Sequence, residues 1–195
     1  MLLDECTLKP YGEELLHQCE PFDCGDGDLN DFFENDSLHY SRNLMGKSYC
    51  FTLDADPRMI VCAFTVSNDS IKVSDLPNAR KKKVNQQIPR EKQFRSYPSV
   101  LIGRLGVNSA FRGKGIGHEL MDFIKSWFVD EGNKTGCRFI VVDAYNNNGA
   151  LGYYEREGFG FLFSTEDQEK EYLDYTRDHQ LHTRLMYFDL IVLTS

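Results

Sequence analysis

The sequence predicts an α+β protein in which one mixed, mainly antiparallel sheet of about six or seven strands carries helices on both faces. Two observations favour this class. Short β-rich runs separated by turn residues occupy the first half of the chain, and strand and helix patterns alternate in the second half. A length of 195 residues suits one compact core, so we expect a single domain over residues 1–195.

In the first half, apolar residues at helical spacing predict a helix from about Asp28 to Asn43. The runs Ser48–Leu53 and Met59–Val66 flank the turn-like residues 54–58 and predict a hairpin. Residues 72–97 mix Lys, Asn and Gln with two prolines and few large apolar groups. This composition predicts a basic insertion that forms either a helical segment or a loop, and we expect it to be mobile.

The second half reads as a β-α-β unit followed by further elements. The predicted elements are the strand Val100–Val107, a helix from about Gly115 to Glu131, the strand Phe139–Val142, a helix from about Gly149 to Glu157, and the strand Met186–Leu193. Gly158 suits the position just past a helix end, where left-handed backbone is common.

Composition excludes several classes of protein. No stretch approaches the roughly 20 apolar residues of a membrane helix, and the amino terminus lacks the pattern of a signal peptide. The six cysteines show neither zinc-site pairs nor the density of a disulfide-stapled domain, and the five histidines form no metal-binding pair. We therefore expect a soluble cytoplasmic protein with reduced thiols, no bound metal and no membrane association.

The charge is unevenly distributed along the chain. The formal net charge is −8, which in bulk disfavours nucleic acid. The first 36 residues contain eleven acidic residues and one lysine, Lys9. By contrast, the segment from Lys72 to Arg95 contains eight basic residues and two acidic ones. Two faces of opposite sign are expected, and whether the basic one is a solvated insertion or a binding surface stays open.

The strongest chemical feature is a glycine-rich turn between a predicted strand and a predicted helix: Arg112, Gly113, Lys114, Gly115, Ile116 and Gly117. Glycines let the backbone turn sharply, and a helix start offers unpaired N–H groups, so this turn predicts a seat for a diphosphate. The spacing fits neither a nucleoside-triphosphate loop nor a dinucleotide fingerprint. A glycine turn that binds nothing is the remaining alternative.

At these residues the sequence resembles the GNAT family of N-acetyltransferases. Arg112, Gly115 and Gly117 match the pattern [Q/R]-x-x-G-x-[G/A] that binds acetyl-coenzyme A (acetyl-CoA) in that family. A second family pattern, N-x-x-A-x-x-x-Y-x-x-x-G-F, is matched at each fixed position by Asn147, Ala150, Tyr154, Gly158 and Phe159. The resemblance implies a sheet splayed at the cofactor site, acetyl-CoA as co-substrate, and direct transfer of acetyl to an amine without a covalent cysteine intermediate.

The resemblance also implies roles for individual residues. The backbone of Leu105 and Val107 should pair with the pantetheine arm, amides from Arg112 to Gly117 should hold the pyrophosphate, and Asn147 should reach the cofactor arm. The resemblance makes Tyr154 the acid that protonates the departing thiolate. A packing role for Tyr154 is the alternative. No motif fixes the general base, for which Asp143, expected at a strand end, and a water relay both stay open.

Two further stretches, Phe22–Phe33 and Gly103–Val107, resemble the GNAT toxins of toxin–antitoxin systems. That subgroup acetylates aminoacyl-tRNA, and the resemblance adds tRNA and an antitoxin as candidate partners. The acidic net charge favours a small-molecule or protein amine as the acceptor, with tRNA second. A non-catalytic module that binds acetyl-CoA or a protein is the alternative of another class. Dimers are common in such folds, and the sequence does not decide whether this chain forms one.

Overall fold

A computed structural model describes residues 1–89 and 94–194. Its strands are β1 (Cys6–Pro10), β2 (Lys47–Leu53), β3 (Asp56–Lys72), β4 (Ser96–Val107), β5 (Phe139–Tyr145), β6 (Gly160–Phe161) and β7 (Thr183–Asp189). They form one sheet in the order β1-β2-β3-β4-β5-β7-β6. The pairs β1–β2, β2–β3, β5–β7 and β6–β7 are antiparallel. The predicted fold class is confirmed.

The α-helices are α1 (Leu2–Glu5), α2 (Glu13–Gln18), α3 (Gly27–Asp31), α4 (Ser37–Arg42), α5 (Asn78–Val84), α6 (Ile116–Val129), α7 (Asn148–Arg156) and α8 (Glu166–Tyr172). A π-helical turn, Phe32–Asp36, joins α3 to α4, and 3-10 turns occupy Val73–Asp75, Ser109–Phe111 and Leu190–Leu193. Within the described ranges, no helix combines the length and apolar character that a membrane span requires.

The backbone clusters into two compact units. The first unit comprises Met1–Ser67 and Ile102–Trp127, and the second comprises Asn68–Leu101 and Phe128–Ser195. Each unit has its own cluster of buried apolar residues. The site residues predicted from the sequence are divided between the two units, since the glycine turn belongs to the first, and Asn147 and Tyr154 belong to the second.

The predicted helix from Asp28 to Asn43 exists, but it is interrupted. It runs from Gly27 to Arg42, and its middle widens into the π-turn. Asp26 begins it by accepting a hydrogen bond from the amide of Leu29. Phe33 is fully buried within the π-turn, with its ring centroid 5.2–5.4 Å from those of three neighbouring aromatic residues: Tyr11, Phe22 and Phe32. This aromatic packing supports the local departure from α-helical geometry.

Leu44 follows α4 in a left-handed conformation (φ 58°), and its side chain is 91% exposed. Glycine is the usual residue at such a position, since a β-carbon there is strained. Because the exposed side chain contributes little packing, Leu44→Gly is expected to raise the free energy of unfolding by about 0.5–1 kcal/mol. Urea denaturation measures the change. Leu3→Gly, at an exposed leucine in α1 with ordinary φ, is the control and should not stabilise the protein. A loss of stability in Leu44→Gly would contradict the strain argument.

The second unit corrects two sequence predictions. The last strand ends at Asp189 and not at Leu193, because the Asp189 carboxylate accepts a hydrogen bond from the amide of Ile191 and begins a 3-10 turn. Strand β5 continues to Tyr145, so Asp143 lies within a strand and does not end one. The 72–97 segment contains α5 and the start of β4, whereas Arg90 and Lys92 lie outside the described residues.

Candidate active site

The end of β4 is fixed within the first unit by Asn108, which is 8% exposed. Its amide nitrogen donates to the carbonyl of Val61 and its side-chain nitrogen donates to that of Ile60, both at 2.9 Å. Its side-chain oxygen accepts from the amide of Ala110 at 3.0 Å and so begins the 3-10 turn that leads into the glycine turn. Asn108 was not identified from the sequence, although Asn is a common residue at helix starts.

The glycine turn presents a row of unpaired amides. Gly113 and Gly115 both have left-handed backbone, with φ of +74° and +80°. The N–H groups of Gly113, Lys114, Gly115 and Ile116 donate to no acceptor in the part of the chain that the structure describes. A β-carbon built on Gly113 or Gly115 would meet no atom within 4 Å. Alternating left-handed residues and free amides at a helix start make a concavity suited to an anion.

Arg112 and Lys114 have identifiable contacts in this turn. The amide of Arg112 donates to the carbonyl of Ser109 at 3.4 Å, and its guanidinium donates to the carbonyl of Cys24. The ammonium of Lys114 lies 4.9 Å from the centre of the Phe111 ring. Of the predicted phosphate-binding amides, the row from Gly113 to Ile116 is therefore the best placed to receive a ligand, and the Arg112 side chain fixes a neighbouring loop.

That neighbouring loop, residues 22–27, is ordered by a small polar network. The Asp23 carboxylate accepts hydrogen bonds from the side chain of Asn30 and the amide of Gly25, both at 2.8 Å. These hydrogen bonds, with the Arg112 charge nearby, lower the pKa of Asp23. A β-carbon on Gly106 of β4 would lie 3.1–3.2 Å from Cys24, so only glycine allows the loop to approach the strand this closely.

Leu105 and Val107 lie on either side of the buried Gly106 in β4 and are themselves half-buried. Residues alternate between the two faces of a strand, so these two side chains share the face opposite to the one that residues 22–27 cover. Their pairing with a pantetheine arm stays a prediction.

In the second unit, Asn147 and Gly158 delimit α7. The side-chain oxygen of Asn147 accepts from the amide of Ala150 at 2.9 Å and begins the helix. Gly158 follows its end with φ of +83°. Two of the residues that match the second family pattern thus have structural roles in the helix that carries Tyr154. A role for Asn147 toward the cofactor stays a prediction.

Tyr154 is half-buried between aromatic neighbours on α7 and beyond it. Its ring centroid lies 5.0 Å from that of Tyr153 and 5.4 Å from that of Phe159, both edge-to-face. Burial raises the pKa of the Tyr154 hydroxyl to about 12. The hydroxyl is therefore protonated at neutral pH, which suits an acid and not a base.

The carboxyl end of β5 contains polar residues that the sequence did not reveal. Asn146 donates its side-chain amide to the Glu166 carboxylate and to the carbonyl of Leu181, both at 3.0 Å. Glu169, only 1% exposed, accepts from the guanidinium of Arg184 at 2.7 Å. Asp143 is exposed on β5 opposite Leu185. These contacts join residues far apart in sequence, and no local pattern signals them.

Comparison with known proteins finds a family model and a curated relative similar to this chain. The family model described as "Acetyltransferase (GNAT) family" matches residues 81–161. A "tRNA-acetylating toxin" of Mycobacterium tuberculosis (strain ATCC 25618 / H37Rv) is 25% identical over 146 residues, which are 75% of this chain and 79% of the toxin.

Solved structures share the fold across nearly the whole chain. A mutant of KacT matches with a TM-score of 0.69 and 19% identity over 98% of both chains. AtaT complexed with acetyl-methionyl-tRNAfMet matches with a TM-score of 0.66 and 19% identity over 97% of this chain and 98% of that one. AtaTR bound with acetyl-CoA matches with a TM-score of 0.65 and 21% identity over 98% of this chain and 99% of that one.

Together, fold and family match define the class of protein. The resemblance to the GNAT acetyltransferases is confirmed over residues 81–161, and the chain is an acyltransferase. Acetyl-CoA is its co-substrate.

Proposed function

We propose that this chain transfers the acetyl group of acetyl-CoA to the α-amino group of aminoacyl-tRNA. The binding of acetyl-CoA in this proposal depends on one observation, the row of unpaired amides from Gly113 to Ile116. The choice of aminoacyl-tRNA as acceptor is supported by two observations. The chain is similar to a relative named as a tRNA-acetylating toxin, and its 72–95 segment is locally basic. The net charge alone favours a small-molecule or protein amine over tRNA, and the proposal places tRNA first instead.

In the proposed complex, the amides from Gly113 to Ile116 hold the pyrophosphate, and the backbone of Leu105 and Val107 pairs with the pantetheine arm. The positive end of α6 adds to the attraction for phosphate. A backbone N–H near Val107 stabilises the negative charge that grows on the thioester carbonyl oxygen. One such donor contributes about 3–4 kcal/mol in well-studied enzymes.

The chemical step needs no covalent enzyme intermediate. The neutral amine attacks the thioester carbon, a C–N bond forms, and the C–S bond breaks. The Tyr154 hydroxyl gives its proton to the departing thiolate, while the proton lost by the amine passes to water or to a base such as Asp143. Cysteine nucleophiles are disfavoured, because burial raises the pKa of Cys50 to about 12 and that of Cys137 to about 11.

A small-molecule or protein amine is the second candidate acceptor, favoured by the net charge of −8. A protein partner of the antitoxin type is part of the proposal, since AtaT has been solved bound to the carboxyl terminus of the antitoxin AtaR. A homodimer is compatible with it.

Charged tRNA is expected to become acetylated when the purified chain is mixed with radiolabelled acetyl-CoA. Base hydrolysis should then release an N-acetyl amino acid, and uncharged tRNA should take up no label. Label on small or protein amines but never on charged tRNA would contradict the tRNA assignment. Calorimetric binding of acetyl-CoA without transfer to any acceptor would identify a non-catalytic module instead.

A further inference from the structure

We propose that the outward face of α5 binds the phosphate backbone of tRNA. The exposed side of this helix, called here the α5 lysine face, carries Lys81, Lys82 and Lys83 around its circumference. The inference rests on the proposed function and deepens it, because it assigns the surface that receives the nucleic acid.

The helix that carries these lysines is firmly attached within the second unit. On its inner side, the Arg80 guanidinium donates to the carbonyl of Leu162 at 2.7 Å and also to that of Phe161. Val84, one helical turn later on the same side, is 2% exposed in the apolar cluster of the unit. Arg80 and Val84 fix the inner side, and the three intervening lysines are exposed and project in different directions around the solvent side of the helix, since consecutive residues lie about 100° apart. The ammonium of Lys83 lies near Gly160.

The α5 lysine face is available for an external anion. All three lysines are exposed, and none forms an ion pair with any residue in the described ranges. Between Asn68 and Pro89 there are five basic residues and only two acidic ones, Asp69 and Asp75. In a chain with a net charge of −8, this is a local reversal of sign. A polyanion is therefore attracted to this segment against an overall repulsive background.

The chemistry of the face favours RNA over an acidic protein. Its other exposed residues are Asn78 and Ala79, so α5 offers no large apolar side chain to a partner. Protein interfaces depend on buried aromatic, arginine or aliphatic anchors at their centre. A nucleic-acid backbone needs only repeated cationic contacts, which three adjacent lysines supply.

The test compares two triple variants with equal changes in charge. The first is Lys81→Gln/Lys82→Gln/Lys83→Gln, and the control changes Lys9, Lys47 and Lys134 to Gln. Binding of uncharged tRNA is measured by fluorescence anisotropy over a series of salt concentrations. The α5 variant is expected to bind about tenfold or more weakly at low salt, with the slope of log K against log salt reduced by about 2 to 3. The control should retain most of the affinity.

Equal losses in both variants would show that only net charge matters and would overturn the proposal, as would unchanged binding in the α5 variant. Loss of binding to polyglutamate with tRNA binding intact would assign the face to an acidic protein and also overturn it. Thermal unfolding by circular dichroism checks that α5 remains folded. If it melts early, the single variants Lys81→Gln, Lys82→Gln and Lys83→Gln should each reduce the slope by about one, and unchanged slopes would refute the assignment.

A second readout separates this surface from the chemical step. Acetylation of puromycin, a small aminoacyl-nucleoside with a free amine, should proceed equally in the wild type and the α5 variant. Acetylation of charged tRNA should fall in the variant through a higher KM. If the wild type does not acetylate charged tRNA at all, the proposed function fails, while the anisotropy measurement still decides whether α5 binds RNA.

Discussion

Replacing Tyr154 by phenylalanine is expected to lower kcat by roughly 10²–10⁴, with less than about a twofold change in the Kd of acetyl-CoA. The substitution keeps the ring that packs on Tyr153 and Phe159 and removes only the hydroxyl. Without this acid, the thiolate must leave unprotonated or take a proton from water. Stopped-flow detection of thiol release measures the chemical step, and isothermal titration measures acetyl-CoA binding.

Tyr153→Phe is the matched control, since it removes a hydroxyl from the adjacent position of the same helix and should leave kcat nearly unchanged. The pH profile gives an independent check. An acid works in its protonated form, and the pKa of Tyr154 is raised to about 12, so its ionisation should not reduce kcat below about pH 11. A Tyr154→Phe enzyme with wild-type kcat would leave this residue a packing role only.

The sequence predicted those features whose cause is local. Glycine at Gly113, Gly115 and Gly158 marks left-handed backbone, and each of the three has positive φ. The apolar pattern predicted α6 from Gly115 to Glu131, within two residues of the observed Ile116–Val129 at each end. The hairpin was likewise found where turn residues separate two β-rich runs.

Short elements were missed because tertiary contacts stabilise them. Strand β1 is five residues long and ends in a proline, and its fold depends on pairing with β2. Strand β6 has two residues and exists through its pairing with β7. Helix α8 is almost entirely polar, and its buried Glu169 accepts a hydrogen bond from Arg184, fifteen positions further along the chain. Such sequences carry little periodic signal of their own.

The candidate site was predicted only in part, because some of its residues are positioned by tertiary contacts. Family patterns located the glycine turn and Tyr154, but they gave no indication that Asn108 would fix the end of β4. They also did not show that the Arg112 side chain would donate a hydrogen bond to the carbonyl of Cys24. The first contact joins residues 48 positions apart and the second joins residues 88 positions apart, so only the folded structure reveals them.

Gly115→Val is expected to raise the Kd of acetyl-CoA by roughly 10- to 100-fold while the protein stays folded. Gly115 has φ of +80°, a conformation that a β-branched residue reaches only at a cost of about 1–3 kcal/mol. A new β-carbon would meet no protein atom within 4 Å, so the substitution does not disturb packing. It changes instead the backbone conformation that aligns the free amides and the space that the phosphate enters. Isothermal titration with acetyl-CoA measures the loss.

Gly136→Val is the matched control, because this glycine also has open space around its β-carbon position but ordinary φ. It should bind acetyl-CoA like the wild type. Gly115→Ala should give an intermediate loss, since it imposes the left-handed strain with less bulk. If Gly115→Val bound acetyl-CoA normally, the pyrophosphate would have to be held elsewhere, and the role of the amides from Gly113 to Ile116 would be refuted. If Gly115→Val weakens binding and Gly115→Ala does not, bulk and not backbone strain controls access to the amides.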